Sequence, residues 1–194
     1  VRDVSWTVGD VLRRGEAYGL IQRHPDPAQP RLRGRLIALS GGGRLALGAD
    51  PPASPGTPVL VFHAKLLNAH SVSARIAVRA DQHLTAVHDA IQEAFGWYDD
   101  HLYSFWLDGS FWGDRASEIT SPDVPDEGIR TADLPIAELD LAIGAKIAYV
   151  FDFGDEWRVG LELKGSEEPD GGRYPRVLNR TGQAPPQYPA LDDD

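Results

Sequence analysis

The chain has 194 residues, of which 42% are hydrophobic and 25% are charged, a balance that excludes wholesale disorder and allows one folded domain with a small appendage. No apolar run approaches the roughly 18 residues that a membrane-spanning helix requires, so no membrane segment is expected. The number of cysteines is 0, which excludes disulfides and thiolate chemistry and predicts a reducing, cytoplasmic setting.

The net charge of −10 is divided unevenly along the chain. Residues 1–60 carry 8 arginines against 5 acidic residues, a net charge of +3, whereas residues 61–194 carry 11 basic and 24 acidic residues, a net charge of −13. A field that negative repels phosphate backbones, so the larger part is expected to bind nucleic acid poorly. Nucleic-acid binding is expected only through the N-terminal part.

Residues 1–50 predict a small helical unit whose first helix begins at Thr7, an N-cap residue type. The second helix is predicted from apolar residues at helical spacing, which are Leu32, Leu36 and Leu39. A glycine turn and a short strand follow, an order that resembles a winged-helix unit. Residues 51–58 are rich in proline and predict a stiff linker.

From residue 59 the pattern changes to strands and one strong helix. Residues 59–66 are apolar and partly β-branched, and residues 72–78 alternate between apolar and polar side chains, so both segments predict strands. Asp81 is predicted to cap a helix that runs to Phe95 with an apolar stripe on one face. Gly96 is expected to end this helix.

A first hairpin is predicted after the helix. It joins a strand over residues 101–107 to a return over residues 110–113 through Asp108-Gly109, a favoured two-residue turn. Residues 114–140 are acidic and interrupted by prolines, and they predict a long loop with one helical turn near its end.

A second hairpin joins residues 146–153 to residues 156–163 through Gly154-Asp155, and residues 165–194 predict an irregular tail along the surface. Together these elements predict an α+β domain over residues 59–194. In this domain a mixed sheet of about five to six strands carries one main helix on a face.

Three stretches of this domain carry a resemblance to one known family. They are residues 84–105, with Ala-Phe-Gly-Trp at their centre, residues 149–157, which are Tyr-Val-Phe-Asp-Phe-Gly-Asp-Glu-Trp, and residues 174–189, which join Tyr-Pro-Arg-Val-Leu to Pro-Pro-Gln-Tyr-Pro. Their order and spacing resemble the plasmid pRiA4b ORF-3-like family, also labelled transposon-passenger TnpR-like, over roughly residues 59–190. The resemblance implies an α+β domain and a link to mobile elements, and it implies no established reaction.

His88, His101, Asp152 and Asp155 are the residues best suited to a polar site. Imidazole together with carboxylate can bind a borderline metal or act as acid and base. However, a histidine on a core face usually has a structural hydrogen bond, and aspartates in a turn usually accept from backbone N–H groups. Because no zinc-type ligand spacing accompanies the four residues, no metal ion and no cofactor are predicted.

Aromatic residues supply the second candidate surface. Tyr103 faces one side of its predicted strand and Trp106 the other, so the two side chains cannot lie in the same core. One set is expected either to line a groove for a ligand or partner, or to be covered by the 114–140 loop or the tail. Trp97 and Trp157 belong to the same candidate surface.

The leading hypothesis is a non-enzymatic binding module for a protein or small-molecule ligand. One alternative is a metal-dependent or acid/base enzyme that uses the four-residue polar site. Another is a DNA-binding accessory that contacts phosphates through the N-terminal unit, whose candidate residues are Arg31, Arg33 and Arg35.

Overall fold

The computed structural model describes the backbone of residues 21–24 and 36–39, and all of residues 56–123 and 128–188. The chain divides into two compact units, Val1–Pro52 and Ala53–Asp194. In the first unit, strand β1 (Ile21–His24) pairs antiparallel with strand β2 (Leu36–Leu39).

The predicted helix through Leu36 and Leu39 is wrong, because both residues lie in β2. In a run of only four apolar residues, helical spacing does not separate a helix from a strand, and pairing with β1 satisfies the backbone groups. The other predictions for this unit, including the helix at Thr7 and the arginines at 31, 33 and 35, lie outside the described residues.

The second unit is built on one eight-stranded sheet with the order β10-β4-β3-β9-β8-β5-β6-β7. Its strands are β3 (Val59–Leu66), β4 (Ser73–Arg79), β5 (Tyr103–Trp106), β6 (Glu118–Thr120), β7 (Arg130–Thr131), β8 (Lys146–Phe151), β9 (Trp157–Glu167) and β10 (Arg176–Thr181). Neighbouring strands are antiparallel except β6 and β7, so the sheet is mixed as predicted. Helix α1 (Thr85–Phe95) packs on one face, which confirms the α+β class.

The sheet has more strands than the five or six that the sequence predicts. Strands β6 and β7 have 3 and 2 residues, too few for alternation to be visible in the sequence. Strand β10 lies in the tail that was predicted to be irregular, and it pairs antiparallel with β4 along an edge of the sheet. Its side chains are half-buried or exposed, so it lacks the apolar pattern that marks a core strand.

The return of the first hairpin also differs from the prediction, because β6 and not residues 110–113 pairs with β5. The carboxylate of Asp108 accepts from Ser110 N at 2.9 Å, and that of Asp114 accepts from Ala116 N at 2.9 Å. These local hydrogen bonds occupy backbone groups that a ladder would need, so the chain turns once more before it pairs.

Helix α1 begins at Thr85, later than the predicted cap at Asp81. The N–H of Leu84 donates to Leu134 O at 3.0 Å and the N–H of Thr85 donates to Ala132 O at 3.2 Å. The loop after β7 therefore satisfies N–H groups that a side-chain cap usually takes. As predicted, the helix ends at Phe95 before Gly96, whose φ of 73° is the left-handed conformation that glycine adopts without strain.

The main core lies between α1 and the helix-facing side of the sheet. It is formed by alternate residues of the central strands together with the inner stripe of α1, and its largest members include Phe62, Leu66, Ile76, Ile91, Phe105, Tyr149 and Phe151. In the part of the chain that the structure describes, no helix has the length and apolar character needed to cross a membrane.

Gly182 provides a test of the β10 edge. Its φ is 71°, and a Cβ at this position would lie 2.6 Å from the carbonyl oxygen of Ser71. We expect Gly182→Ala to lower the free energy of unfolding by about 2 kcal/mol or more, from backbone strain and this clash. The matched control is Gly160→Ala in β9, where an added Cβ meets nothing within 4 Å. Urea denaturation of both variants checks the prediction, and equal stabilities would contradict the described edge.

Candidate functional site

His88 lies in a buried hydrogen-bond network between α1 and the sheet. Its Nδ1 is 2.8 Å from Tyr149 Oη on β8, and its Nε2 is 2.8 Å from Asp99 Oδ1 in the loop after the helix. Gln92, one turn further along α1, donates from Nε2 to Tyr149 Oη at 3.1 Å. Tyr103 stacks on the imidazole with ring centroids 3.8 Å apart. Polar atoms in the core are therefore joined into one chain.

The directions of these hydrogen bonds follow from the protonated phenol of Tyr149 and the accepting carboxylate of Asp99. Burial raises the pKa of Tyr149 well above its usual value of 10, and Tyr103 raises it further. The phenol stays protonated at neutral pH and accepts from Gln92 Nε2. Because the Asp99 carboxylate accepts from His88 Nε2–H, a neutral His88 has no proton on Nδ1, and Nδ1 accepts from the Tyr149 hydroxyl.

His101 lies in a second network at the protein surface. Its Nε2 is 2.9 Å from Tyr188 Oη, 3.4 Å from Asp152 Oδ2 and 3.9 Å from Asp100 Oδ1. The Tyr188 hydroxyl donates to Asp100 Oδ2 at 2.6 Å. Burial, reinforced by the hydrogen bond to Asp100, raises the pKa of Tyr188 far above 10 and keeps this phenol protonated.

The amide of Gln187 binds the C-terminal segment to the loop after α1. Its Oε1 accepts from Tyr98 N at 2.6 Å, and its Nε2 donates to Tyr98 O at 3.3 Å and to Asp100 Oδ1 at 2.8 Å. Gln187 is buried, so these bonds are shielded from water. They hold Tyr188 where it contacts His101.

The predicted four-residue polar site is divided between these two networks. The structure brings His101 and Asp152 together, whereas the hydrogen bonds of His88 go to Tyr149 and Asp99. The ring of Phe151 lies near both imidazoles, with centroids 6.0 Å from His88 and 6.1 Å from His101. The remaining residue of the four, Asp155, is exposed in the hairpin turn.

Asp152 holds the turn between β8 and β9. Its Oδ1 accepts from Gly154 N at 2.9 Å and from Asp155 N at 3.3 Å. The residue has a φ of 55°, and Glu156 at the other end of the turn has a φ of 52°. Asp152 thus combines a structural role in the turn with its contact to His101.

Most aromatic residues of the predicted surface are buried. Trp97, Tyr103 and Trp106 are 5%, 3% and 2% exposed, and Trp157 is half-buried with its ring centroid 5.1 Å from that of Trp97. Tyr103 lies in the main core, whereas Trp106 lies on the other face of the sheet, as the alternation predicts. Phe111, in the loop after β5, packs against that face.

Trp112 and Phe153 form an exposed aromatic pair beside this covered patch. They are 46% and 39% exposed, and their rings meet edge to face with centroids 5.4 Å apart. Trp112 also contacts buried Trp106, with centroids 5.3 Å apart. Phe111, Trp112 and Phe153 are called the outer aromatic surface below. The guanidinium of Arg158 lies 5.9 Å from the centroid of Phe111, at its rim.

Most partners of the two histidines are not among the predicted site residues. In residues 56–123 and 128–188, His88, Asp89 and Asp99 offer metal-ligand atoms that all lie within 4.8 Å of one another. Asp89 is next to His88 in the chain, but Asp99 reaches it only because the chain turns back after the helix. Tyr149 could have been found from the sequence, because alternation along β8 places it on the helix-facing side.

The profile of the family described as Plasmid pRiA4b ORF-3-like protein matches residues 59–188. The curated uncharacterized protein y4hQ of Sinorhizobium fredii (strain NBRC 101917 / NGR234) is 30% identical over 129 residues, which cover 60% of this chain and 58% of that protein. The chain thus spans less than two thirds of this relative. The crystal structure of the protein of unknown function MM3350 from Methanosarcina mazei Go1 matches with a TM-score of 0.58 and 20% identity, over 68% of this chain and 74% of that chain. This likeness shows a shared fold.

The Asp152 turn gives a prediction for stability. Asp152→Ala removes the acceptor for two backbone N–H groups and leaves alanine in the left-handed region, so we expect a loss of about 2 kcal/mol in the free energy of unfolding. Asp152→Asn keeps an acceptor and tolerates this conformation, and should lose less than about 1 kcal/mol. Asp155→Ala is the exposed control, expected within about 0.5 kcal/mol of the wild type. A larger effect of Asp155→Ala than of Asp152→Ala in chemical denaturation contradicts the assignment.

The raised pKa of Tyr149 gives a prediction for alkaline pH. The unfolded chain releases this proton near pH 10 and the folded chain holds it, so the stability that it confers is complete below about pH 10 and declines above it. Tyr149→Phe is expected to be less stable at neutral pH, because His88 and Gln92 lose their partner, but to show a shallower decline between about pH 9.5 and 11. Urea denaturation across this range measures the slope. Tyr98→Phe, which alters an exposed ring, is the control, and an unchanged slope in Tyr149→Phe would argue against the network.

Proposed function

The chain belongs to the plasmid pRiA4b ORF-3-like protein family, and we propose that it is a protein-binding module that takes a basic segment of a partner on its outer aromatic surface. The observation that carries this proposal is the exposure of Trp112 and Phe153 side by side. Tryptophan and phenylalanine bury large areas on binding and are enriched at the centres of protein interfaces.

The backbone around this pair supports a functional role. Trp112 has a φ of 56°, a conformation that costs energy for a bulky side chain, and Asp152 and Glu156 of the facing turn also have positive φ. Strained residues of this kind persist where the surrounding structure holds them, and they concentrate at binding sites. The strained backbone at Trp112 therefore supports a binding role for its exposed side chain.

The charge around the surface favours a basic partner. The exposed carboxylates of Asp108 and Asp114 flank the loop that carries Trp112, and exposed Asp155 follows Phe153. Residues 61–194 carry 11 basic and 24 acidic residues, a net charge of −13, so the electrostatic potential of this part of the chain attracts cations. The guanidinium of Arg158, which is paired with Glu156, lies 5.9 Å from the centroid of Phe111, so a cation is accommodated beside this ring.

The alternative of an acid/base enzyme is weaker on the same structure. His101 is the accessible histidine of the two networks, but its Nε2 is directed to Tyr188 and to Asp152, and the other oxygen of Asp152 holds the hairpin turn. These contacts are explained more simply as bonds that hold the C-terminal segment in place than as a substrate-binding site. The DNA-binding alternative through the N-terminal arginines and the link to mobile elements both stay predictions.

Binding of a defined peptide tests the proposed function. A fluorescein-labelled decapeptide of alternating arginine and serine is titrated with the full chain and followed by fluorescence anisotropy, with an alternating glutamate and serine peptide as the charge control. We expect saturable binding of the basic peptide only, which weakens as salt is added. Trp112→Ala and Phe153→Ala should each weaken it by about tenfold or more, as truncation of an interface anchor does.

The matched control is Ile143→Ala, because Ile143 is the most exposed large apolar residue of those described and lies outside the outer aromatic surface. It should bind the peptide as the wild type does. The melting temperature of each variant shows whether the fold is kept. Peptide binding that is absent, or that Trp112→Ala and Phe153→Ala leave unchanged, would rule out this function.

A further inference from the structure

His88, Asp89 and Asp99 bring three metal-binding side chains to one place on the helix-facing side of the sheet. Helix α1 supplies the first two residues, and the chain reversal at Gly96 returns Asp99 to the His88 ring. The imidazole is fully buried and the carboxylates are partly exposed, with 23% of the Asp99 side chain accessible. An ion could therefore reach the carboxylates from solvent and meet the imidazole from the outer side.

The contact of His88 with Asp99 has the spacing of adjacent ligands on a first-row transition metal. The ligand atoms all lie within 4.8 Å of one another, and His88 Nε2 is 2.8 Å from Asp99 Oδ1. With bonds of about 2.1 Å, adjacent ligands of an octahedral ion lie about 3 Å apart and opposite ligands about 4.2 Å apart. One histidine with two carboxylates suits a divalent ion of intermediate softness, such as manganese, iron, cobalt or zinc.

The residues behind His88 supply the outer hydrogen bonds that such a ligand needs. A metal on Nε2 requires the proton on Nδ1, which would then donate to Tyr149 Oη across the existing 2.8 Å contact. The Tyr149 hydroxyl must in turn donate to another acceptor. Gln92 Oε1 is such an acceptor: the residue is 6% exposed, and this atom has no hydrogen-bond partner among the described residues. Rotation of the Gln92 amide by half a turn brings Oε1 to the phenol.

From these observations we propose that His88, Asp89 and Asp99 bind one divalent transition-metal ion. The three ligands leave coordination positions for water or for a small anionic ligand. This site is separate from the outer aromatic surface, because it lies on the helix-facing side of the sheet, so either proposal can fail without the other. It also replaces the sequence-based expectation of no metal, because Asp89 and Asp99 are not among the four polar residues on which that expectation rested.

Titration calorimetry of the full chain, free of any histidine tag, tests the site with the chlorides of manganese, cobalt and zinc near neutral pH. We expect one equivalent of at least one of these ions to bind with a dissociation constant in the micromolar range or below, and bound cobalt to show a visible absorption band. Asp89→Asn and Asp99→Asn should each weaken binding by at least about tenfold, and Tyr149→Phe by about tenfold through the orientation of His88.

His101→Gln is the matched control, since it removes the other networked histidine and should leave the affinity unchanged. Asp89→Asn keeps the buried network of His88 and Tyr149, so its circular dichroism spectrum and melting temperature should match the wild type. Binding that is lost in Asp89→Asn with the fold intact supports the site. Dissociation constants above the millimolar range for all three ions, or binding that Asp89→Asn and Asp99→Asn leave unchanged, overturn it.

Discussion

The burial of a polar chain from Gln92 through Tyr149 and His88 to Asp99 is the constraint on which the domain depends. A buried polar atom that loses its partner costs about 1–3 kcal/mol, which is a large part of a domain's total stability. Helix α1 therefore cannot rotate or slide on the sheet as a helix with a purely apolar face could. Its register against β8 is determined by hydrogen bonds as well as by the packing of apolar side chains.

The same constraint extends to the loop after the helix and to the C-terminal segment. Because Asp99 is bound to His88, the next residues, Asp100 and His101, are placed at the surface end of β8. Tyr188 then joins them through hydrogen bonds to Asp100 and His101. The backbone step from Asp99 to Asp100 thus links the two networks, the second of which reaches a residue 88 positions further along the chain, and Phe151 lies near both imidazoles.

The two faces of the sheet carry different kinds of side chains. On β8, Tyr149 and Phe151 point to the helix, and Ala148 and Val150 point to the face where Trp106 and the outer aromatic surface lie. Alternation along a single strand therefore separates a polar, hydrogen-bonded site from an apolar surface. A substitution in the His88 network can therefore leave the outer aromatic surface unchanged, and the reverse also holds.

The sequence by itself determined the features that depend on local spacing. The stripe of α1, its end at Gly96, the alternation of β4 and β9 and the turn after Asp152 all follow from neighbouring residues, whose side-chain directions repeat with a fixed period. The resemblance of residues 84–189 likewise depended on motifs within short stretches, and the family profile confirms it. Short strands such as β6 and β7, and the exposed edge strand β10, have no such period to detect.

Only the tertiary structure decided which polar groups meet. His88 was expected to share a site with Asp152, and it binds Asp99 and Tyr149 instead, because the reversal at Gly96 and the register of α1 on β8 bring those residues closer. Trp106 and Trp112 are six positions apart and both aromatic, yet one is 2% exposed and the other 46%. Their burial depends on what the strands pair with and on which loop folds over them, and such long-range contacts leave no regular pattern in the order of the residues.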